Sequence, residues 1–301
     1  MSSCPTVSVI IPTYNHAHFL KDALRSVCNQ TYADWEAIVI NNYSEDDTVA
    51  VVASFDDPRI VLENFHNNGV IGASRNRGIA LARGKYIAFL DSDDIWYSEK
   101  LSRCIAHFNG DVALVCHGLR WMGSEEKDVF CGPEQRATFE SLLYEGNCMT
   151  PTATVVRKDI VDLVGGFSED AAVMTAEDYH LWLKLARAGC KMRFPREILG
   201  GYRVHSGNQS GAVVKHFHAT LQVLEEFFPK KELRDFQSRL RVRRRYAIAY
   251  YGAARAMQRN KKIPQSWLLL LQSIVYWPIF LRSYVAIAWG IVMLVIGRGG
   301  R

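Results

Sequence analysis

Short apolar runs alternate with helical patterns through residues 7–116, and no other feature of the sequence restricts the fold as strongly. The apolar runs are rich in β-branched residues, and each is too short to form a helix of ordinary length. They occupy residues 7–11, 37–40, 60–62, 86–90 and 112–116. Helical patterns occupy residues 19–28, 47–55, 73–82 and 99–108. This alternation predicts an α/β fold with a mostly parallel, Rossmann-like sheet covered by helices on both faces.

The next segment continues the mixed pattern. Residues 152–156 predict a strand, residues 158–164 a short helix, and Gly165 with Gly166 a turn or a close backbone approach. Residues 176–188 predict an amphipathic helix that begins with acidic side chains, which suit the positive end of a helix dipole.

Polar side chains follow three of the predicted strands. In open α/β sheets ligands bind beyond the carboxyl ends of the strands, so these segments are candidate site residues on one edge of the sheet. They are Pro12, Thr13, Tyr14 and Asn15 after the first strand, Asn41 and Asn42 after the second, and Asp91, Ser92, Asp93 and Asp94 after the fourth.

The acidic side chains after the fourth strand predict a metal site. Carboxylates held at close range repel one another, and a divalent cation relieves the repulsion. Magnesium or manganese bound by one or two carboxylates, with substrate phosphates as further ligands, is the common arrangement in diphosphate chemistry. The alternative is that Asp91, Asp93 and Asp94 form a solvated turn and cap the next helix.

Two further positions carry candidate chemistry. Asp178 is the candidate general base for an acceptor hydroxyl, with Glu177 as its neighbour; the alternative is that both acids only cap their helix. His205 lies between a strand-like run and a polar loop, where a neutral imidazole could complete a metal shell or contact a diphosphate. Its alternative role is structural.

The charge of the chain is unevenly distributed. The net charge is +5, yet residues 1–229 are net acidic and the basic surplus lies in residues 230–262. A general polyanion-binding domain would spread its positive charge over the fold, so nucleic acid is not an expected partner. The seven cysteines form no CxxC pair, and the first residues lack the basic start of a signal peptide. These features predict reduced thiols in the cytoplasm.

The C-terminal region, residues 229–301, is expected to associate with a membrane. Residues 233–262 look helical, with arginines beside aromatic residues, which suits an anionic lipid surface. The alternative is a solvated helix packed on the domain formed by residues 1–228. The apolar runs at residues 267–281 and 284–296 are each shorter than a membrane span. Our first expectation is therefore two interfacial or re-entrant helices. The second is a single kinked span across the whole stretch, and the third is a helical pair buried in a dimer.

An ordered set of motifs resembles the inverting glycosyltransferases of family 2, of the type found in bacterial polysaccharide biosynthesis. The motifs are VSVIIPTYN at residues 7–15, NNG at 67–69, ASRNRG at 73–78, FLDSDD at 89–94, VGGF at 164–167, ED at 177–178 and YRVH at 202–205. The resemblance covers residues 5–210. It implies the GT-A fold for residues 1–228, followed by the membrane-associating C-terminal helices.

The resemblance also implies roles for individual residues. The polar residues after the first two strands, with Ser92, would bind the nucleotide, and Arg75 would approach the base or the diphosphate. Asp91 would face the ribose or the metal, Asp93 and His205 would bind Mn²⁺ or Mg²⁺, and Asp178 would be the catalytic base. The glycine pair at 165 and 166 would let backbone approach the donor sugar or the acceptor.

One departure from the family pattern bears on the donor. The family usually has two aspartates followed by Gly-Ser after the second strand, whereas this chain has Asn41, Asn42, Tyr43 and Ser44. Asparagine can accept a base N–H, but without charge. A UDP-sugar is the favoured donor, with GDP and dTDP left open.

The resemblance implies transfer of a hexose or N-acetylhexosamine to a glycan acceptor with inversion at the anomeric carbon. The apolar tail suggests an acceptor linked to polyprenyl diphosphate, used for lipopolysaccharide or exopolysaccharide at the cytoplasmic side of the inner membrane. One alternative is a transferase that loads a monosaccharide onto polyprenyl phosphate. Another is a membrane-attached, non-catalytic glycan-binding or scaffold protein.

Overall fold

The computed structural model describes residues 4–123, 126–205, 212–228 and 235–298. Its strands are β1 (Val7–Thr13), β2 (Trp35–Asn41), β3 (Ile60–Asn64), β4 (Tyr86–Phe89), β5 (Ile95–Trp96), β6 (Val112–Cys116), β7 (Gly118–Gly123), β8 (Lys127–Val129), β9 (Thr154–Arg157), β10 (Lys191–Arg193) and β11 (Ile198–Val204). Its α-helices are α1 (Ala17–Cys28), α2 (Thr48–Ala53), α3 (Ile71–Leu81), α4 (Lys100–Ala106), α5 (Phe139–Glu145), α6 (Lys158–Leu163), α7 (Glu177–Arg187), α8 (Val213–Phe227), α9 (Phe236–Arg259), α10 (Ile263–Tyr276) and α11 (Leu281–Arg298).

Seven strands form the main sheet, in the order β10-β6-β9-β4-β1-β2-β3. Strands β1, β2, β3 and β4 pair in parallel, and β10 is parallel to β6. Only β9 runs antiparallel to its neighbours within this sheet, pairing with β4 on one side and β6 on the other. The prediction of a mixed α/β fold with a mostly parallel sheet is confirmed.

The main sheet has a core on each face, as its uninterrupted apolar strands predict. Along β1, Val9 and Ile11 pack into one buried cluster, whereas Ile10 packs into the other. Helix α3 approaches β1 closely at Gly78, where a Cβ atom would lie 2.5 Å from Ile10. A smaller sheet, β5-β11-β7-β8, stands beside the ends of β4 and β6.

The three C-terminal helices lie side by side as an antiparallel unit. Ser273 on α10 is hydrogen-bonded to Ala247 of α9 and to Ser283 of α11. Near the opposite end, Gln258 of α9 donates to the Ala286 carbonyl of α11. The single kinked span is therefore wrong, because the chain reverses between α10 and α11. No described helix is long and apolar enough to cross a membrane.

Association of this unit with a membrane, and its alternative as a dimer interface, stay predictions. The boundary predicted at residues 228 and 229 is also untested, because residues 229–234 lie outside the described ranges. The described part of the predicted helix at 233–262 begins at Phe236 and ends at Arg259.

Candidate active site

The loops after β1 and β2 are tied together at the carboxyl edge of the sheet. The Asn15 side chain accepts from the Glu45 backbone N–H at 2.8 Å, and the Asn15 backbone N–H donates to the Ser44 hydroxyl at 2.9 Å. Asn15 and Tyr43 both adopt positive φ, of 52° and 53°. The rings of Tyr14 and Tyr43 stay exposed at this edge, where a planar base could stack on them.

The side-chain amides of Asn41 and Asn42 connect the neighbouring chain segments at this edge. Asn41 is buried, donates to the Asn64 side-chain oxygen at 2.8 Å and accepts from the Ser44 hydroxyl at 2.6 Å. Asn42 accepts from the Asn67 backbone N–H at 3.0 Å. The Asn41 amide thus uses both its donor and its acceptor within the protein. Their predicted contact with the base stays a prediction.

Pro12 and Thr13 end β1 and are buried. The Thr13 hydroxyl has no hydrogen-bond partner among the described residues. A buried hydroxyl without a protein partner is a group that a ligand could satisfy. Ser92, predicted as a nucleotide contact, lies 2.9 Å from the Nδ1 atom of His16.

Arg75 joins the acidic segment after β4 to the start of α7. Its guanidinium donates to Asp91 at 2.8 Å and to Glu177, 102 residues along the chain, at 2.7 Å. The side chain is only 4% exposed, and the two carboxylates raise the pKa of Arg75 above its usual value despite the cost of burial. The motif residue Arg75, predicted to approach the nucleotide, thus pairs with protein carboxylates here.

The three aspartates after β4 have separate partners. Asp91 pairs with Arg75, and the Asp93 carboxylate lies 2.9 Å from Nε2 of His205. Asp94 is buried and accepts from the Thr152 hydroxyl at 2.6 Å and from the Arg203 backbone N–H at 2.9 Å. These contacts give Asp94 a structural place, whereas the predicted metal roles of Asp91 and Asp93 stay predictions.

Asp93 and His205 are the residues that fit a divalent cation. Both are partly exposed, and a carboxylate oxygen beside an imidazole nitrogen is a donor pair that manganese accepts. No group of three or more His, Cys, Asp or Glu side chains gathers as a metal site among the described residues. Substrate phosphates would have to supply further ligands, as they commonly do. The polar loop after His205 lies outside the described residues.

Asp178 lies in the first turn of α7, beside Glu177. Its carboxylate accepts from the Asn147 side chain at 3.2 Å and from the Tyr179 backbone N–H at 2.6 Å. Burial, followed by repulsion from Glu177, raises the pKa of Asp178 to about 7. A carboxyl group with this pKa can take up a proton near neutral pH, which is the property that a general base requires.

Helix α9 supports the loop that carries Asn147. The buried guanidinium of Arg245 donates to the Leu143 carbonyl at 3.0 Å and lies against Gly146. Tyr179, which follows Asp178, donates its hydroxyl to the Leu142 carbonyl at 2.7 Å. The end of α5, the start of α7 and the middle of α9 therefore form one hydrogen-bonded assembly around the candidate base.

Sequence analysis missed His16, Asn147 and Arg245 as site residues. The Nδ1 atom of His16 lies 2.9 Å from the Ser92 hydroxyl, and the ring centroids of His16 and His205 are 6.0 Å apart. Asn147 falls outside the predicted elements and motifs, and Arg245 lies within the helix predicted at residues 233–262, where it was assigned to a lipid-facing or solvated surface and not to the site. Gly165 and Gly166, predicted as a turn, both have positive φ, and Gly166 packs against the Asn76 side chain.

Two family models and several characterised or named proteins match this chain. The model of "Glycosyl transferase family 2" matches residues 8–163, and that of "Glycosyl transferase family group 2" matches residues 86–298. The chain is 32% identical over 225 residues to the Escherichia coli UDP-Glc:alpha-D-GlcNAc-diphosphoundecaprenol beta-1,3-glucosyltransferase WfaP, covering 73% of this chain and 85% of that protein. It is 28% identical to the putative teichuronic acid biosynthesis glycosyltransferase TuaG of Bacillus subtilis, covering 66% and 79%.

Two solved structures have a similar fold. S. aureus TarS 1-349 in complex with UDP-GlcNAc superposes with a TM-score of 0.61 at 16% identity, covering 97% of this chain and 92% of that one. The mannosyltransferase PcManGT from Pyrobaculum calidifontis, in complex with GDP-Man and Mn²⁺, superposes with a TM-score of 0.60 at 18% identity, covering 97% and 81%.

Proposed function

Because this chain belongs to glycosyltransferase family 2 and is an enzyme that transfers sugars from nucleotide-sugar donors, we propose that it moves a hexose or N-acetylhexosamine from a UDP-sugar to a polyprenyl-diphosphate-linked glycan. The glycan would belong to a cell-surface polysaccharide. WfaP, and the related Escherichia coli WfgD at 37% identity over 184 residues, are named as glucosyltransferases that use UDP-glucose and a diphosphoundecaprenol acceptor. The proposal extends that donor and acceptor class to this chain.

The observation that carries the proposal is the chain of contacts from Asp91 through Arg75 to Glu177, the neighbour of Asp178. These contacts support a base at Asp178 that acts beside a donor bound at the carboxyl edge of the sheet. In the proposed reaction, the acceptor oxygen attacks the anomeric carbon, and its proton passes to Asp178. The bond between that carbon and the diphosphate oxygen breaks, and the nucleoside diphosphate leaves with the electron pair. Attack opposite to the leaving group inverts the configuration at the anomeric carbon.

The family generally uses a divalent cation. We propose that Asp93 and His205 hold Mn²⁺ or Mg²⁺ together with the donor diphosphate, whose developing negative charge such an ion would stabilise. Around it, Tyr14 and Tyr43 would enclose the base, and the Thr13 hydroxyl would find its hydrogen-bond partner in the nucleotide.

The proposed place of action is the cytoplasmic face of the membrane. Large apolar side chains are exposed on α10 and α11, and α9 carries several exposed arginines. This combination suits an anionic lipid surface. The free thiols of all seven cysteines suit a reducing compartment.

Replacing Asp93 with asparagine tests the cation. We expect the rate of UDP release to fall roughly 100-fold, the upper end of what the loss of a metal-orienting group costs, and the Mn²⁺ concentration for half-maximal rate to rise. Asp111→Asn is the matched control, since Asp111 is an exposed carboxylate beside the N-terminal end of β6, at the opposite edge of the sheet. A wild-type rate that survives exhaustive chelation would refute the proposed role of the cation.

A further inference from the structure

A groove of about 330 Å³ lies between helices α8, α9 and α10. Its lining is mainly apolar and includes Val214, Phe217, Ala253, Met257 and Leu268. These side chains come from three helices, so the groove lies between elements and is not a pit within one of them. A volume of this size lies within the range of ordinary ligand sites.

The outer end of the groove is continuous with an exposed apolar stripe. Leu268, which lines the groove, is 67% exposed, and Leu271 and Val275 follow it on the same face of α10 at helical spacing. Val214 on the opposite wall is 52% exposed. An apolar chain could therefore pass from the groove onto this stripe without crossing a polar surface.

Helix α8, which forms one wall of the groove, also contacts the chain segment that leads into the candidate base. Next to Val214, the Lys215 ammonium contacts the Met174 sulfur at 2.6 Å, and Nδ1 of His216 lies 2.8 Å from the Thr175 carbonyl oxygen. Thr175 precedes Asp178 by three residues and has a φ of 80°. The first turns of α8 thus carry both one wall of the groove and the contacts to the segment that precedes α7.

The polar side chains on the first turns of α8 match an anionic ligand. Lys215, His216 and His218 are exposed within one turn of α8, and His218 lines the groove. An ammonium group and imidazole N–H groups are donors that suit phosphate oxygens. Polar, partly cationic side chains of α8 therefore lie next to the apolar lining of the groove.

We propose that this groove binds the lipid part of the acceptor: the first isoprene units lie between α8, α9 and α10, and the diphosphate lies against Lys215 and His218. This rests on the proposed function, in which the acceptor glycan is linked to polyprenyl diphosphate. The lipid then leaves the groove along Leu268 and Leu271, while the glycan extends toward Asp178.

Binding of farnesyl diphosphate and methyl diphosphate to the full-length protein tests the groove by calorimetry without vesicles. We expect the wild type to bind farnesyl diphosphate at least about tenfold more tightly than methyl diphosphate. The variant Val214→Asp/Leu268→Asp should lose that preference, while the new carboxylate next to Lys215 should weaken the binding of both diphosphates to a similar extent. Both positions are exposed, so the fold should persist. The matched control is Val49→Asp/Leu163→Asp, which places two carboxylates on exposed positions of α2 and α6 and should keep the preference.

A second pair of substitutions distinguishes binding in the groove from binding to a lipid surface. Ile279→Asp/Val285→Asp changes exposed positions outside the groove, and should weaken binding to anionic phospholipid vesicles while keeping the farnesyl preference. The proposal that the groove binds the lipid would be overturned by equal affinity of the wild type for the two diphosphates. An unchanged farnesyl preference in Val214→Asp/Leu268→Asp would overturn it as well. Farnesyl binding that depends on the groove, without transfer of sugar to any polyprenyl-linked acceptor, would instead overturn the proposed function alone.

Discussion

Replacement of Asp178 by asparagine is expected to lower kcat by about 10²–10⁴-fold, the range that a positioned general base contributes. Asparagine keeps the shape of the side chain and can still contact Asn147, but it cannot take the acceptor proton. Affinity for the donor should change little, because Asp178 acts on the acceptor. Sugar transfer and donor binding, measured on the same preparation, check both statements.

Asp162→Asn is the matched control, since Asp162 is an exposed carboxylate that pairs with Lys158 on α6. It should keep the wild-type rate. A kcat within a few-fold of wild type in Asp178→Asn would remove Asp178 from the reaction and leave the acceptor without an identified base.

The rate of the wild type should also depend on pH through Asp178. Burial and the Glu177 charge raise its pKa to about 7, and only the ionised form accepts a proton. We expect kcat to rise with pH and level off above about pH 7, and this rise should be absent from the residual rate of Asp178→Asn. A wild-type profile that is flat between pH 5 and 8 would contradict the assignment.

The same pKa makes a prediction for stability. The pKa of Asp178 in the folded state exceeds the value of about 3.9 that an aspartate has in an unfolded chain. The folded state therefore binds the proton more tightly, and the stabilisation present at low pH is lost as pH rises through about 7. Asp178→Asn removes this loss, so its free energy of unfolding should increase relative to wild type between pH 5 and 8, as denaturant titrations at each pH would measure.

Replacement of Arg75 by methionine is expected to cost about 3–5 kcal/mol of folding free energy, as the breaking of buried ion pairs does. The change leaves the Glu177 carboxylate buried without its cation and removes the partner of Asp91. Urea unfolding measures the loss. Arg75→Lys should recover only part of it, because one ammonium group cannot reproduce the two-sided contact of a guanidinium.

The control lies two residues away on the same helix. Arg77 also pairs with a carboxylate, that of Glu63, but both side chains are much more exposed, and Arg77→Met should cost at most about 1 kcal/mol. The double variant Arg75→Met/Glu177→Gln should be more stable than Arg75→Met, since it removes the unpaired buried charge. Equal stability of Arg75→Met and Arg77→Met would show that the buried contacts contribute nothing beyond a surface pair.

The sequence predicted the elements of the sheet well because their signals are local. The apolar run of β1 and the amphipathic pattern of α7 each depend on neighbouring residues, and their ends fall within two residues of the prediction. The common edge of Asn15, Asn41 and Asp91 followed from the rule that parallel strands end together. Recognition of the family and of the sugar-transferring activity rested on the order of these motifs, and both are confirmed.

The features that the sequence did not predict depend on contacts between residues that are far apart in the chain. The Arg75 pairing with Glu177 spans 102 positions, and no periodicity links them. Asp93 and Asp94 look equivalent in the sequence, yet one faces His205 and the other is buried against Thr152. The antiparallel direction of β9 was not predicted either, because its short apolar run carries no sign of direction.

The contact between Arg245 and the end of α5 bears on how this enzyme should be prepared. Shortening the chain after residue 228 to improve solubility would delete the guanidinium that holds the Leu143 carbonyl, and with it the brace behind Asn147. Inactivity of such a fragment would then report damage around the candidate base as much as loss of the proposed lipid contacts. A cut after Arg259 would keep Arg245 but would remove α10, against which α9 packs through Ser273 and Leu270, so the full-length chain is the better starting point for kinetics.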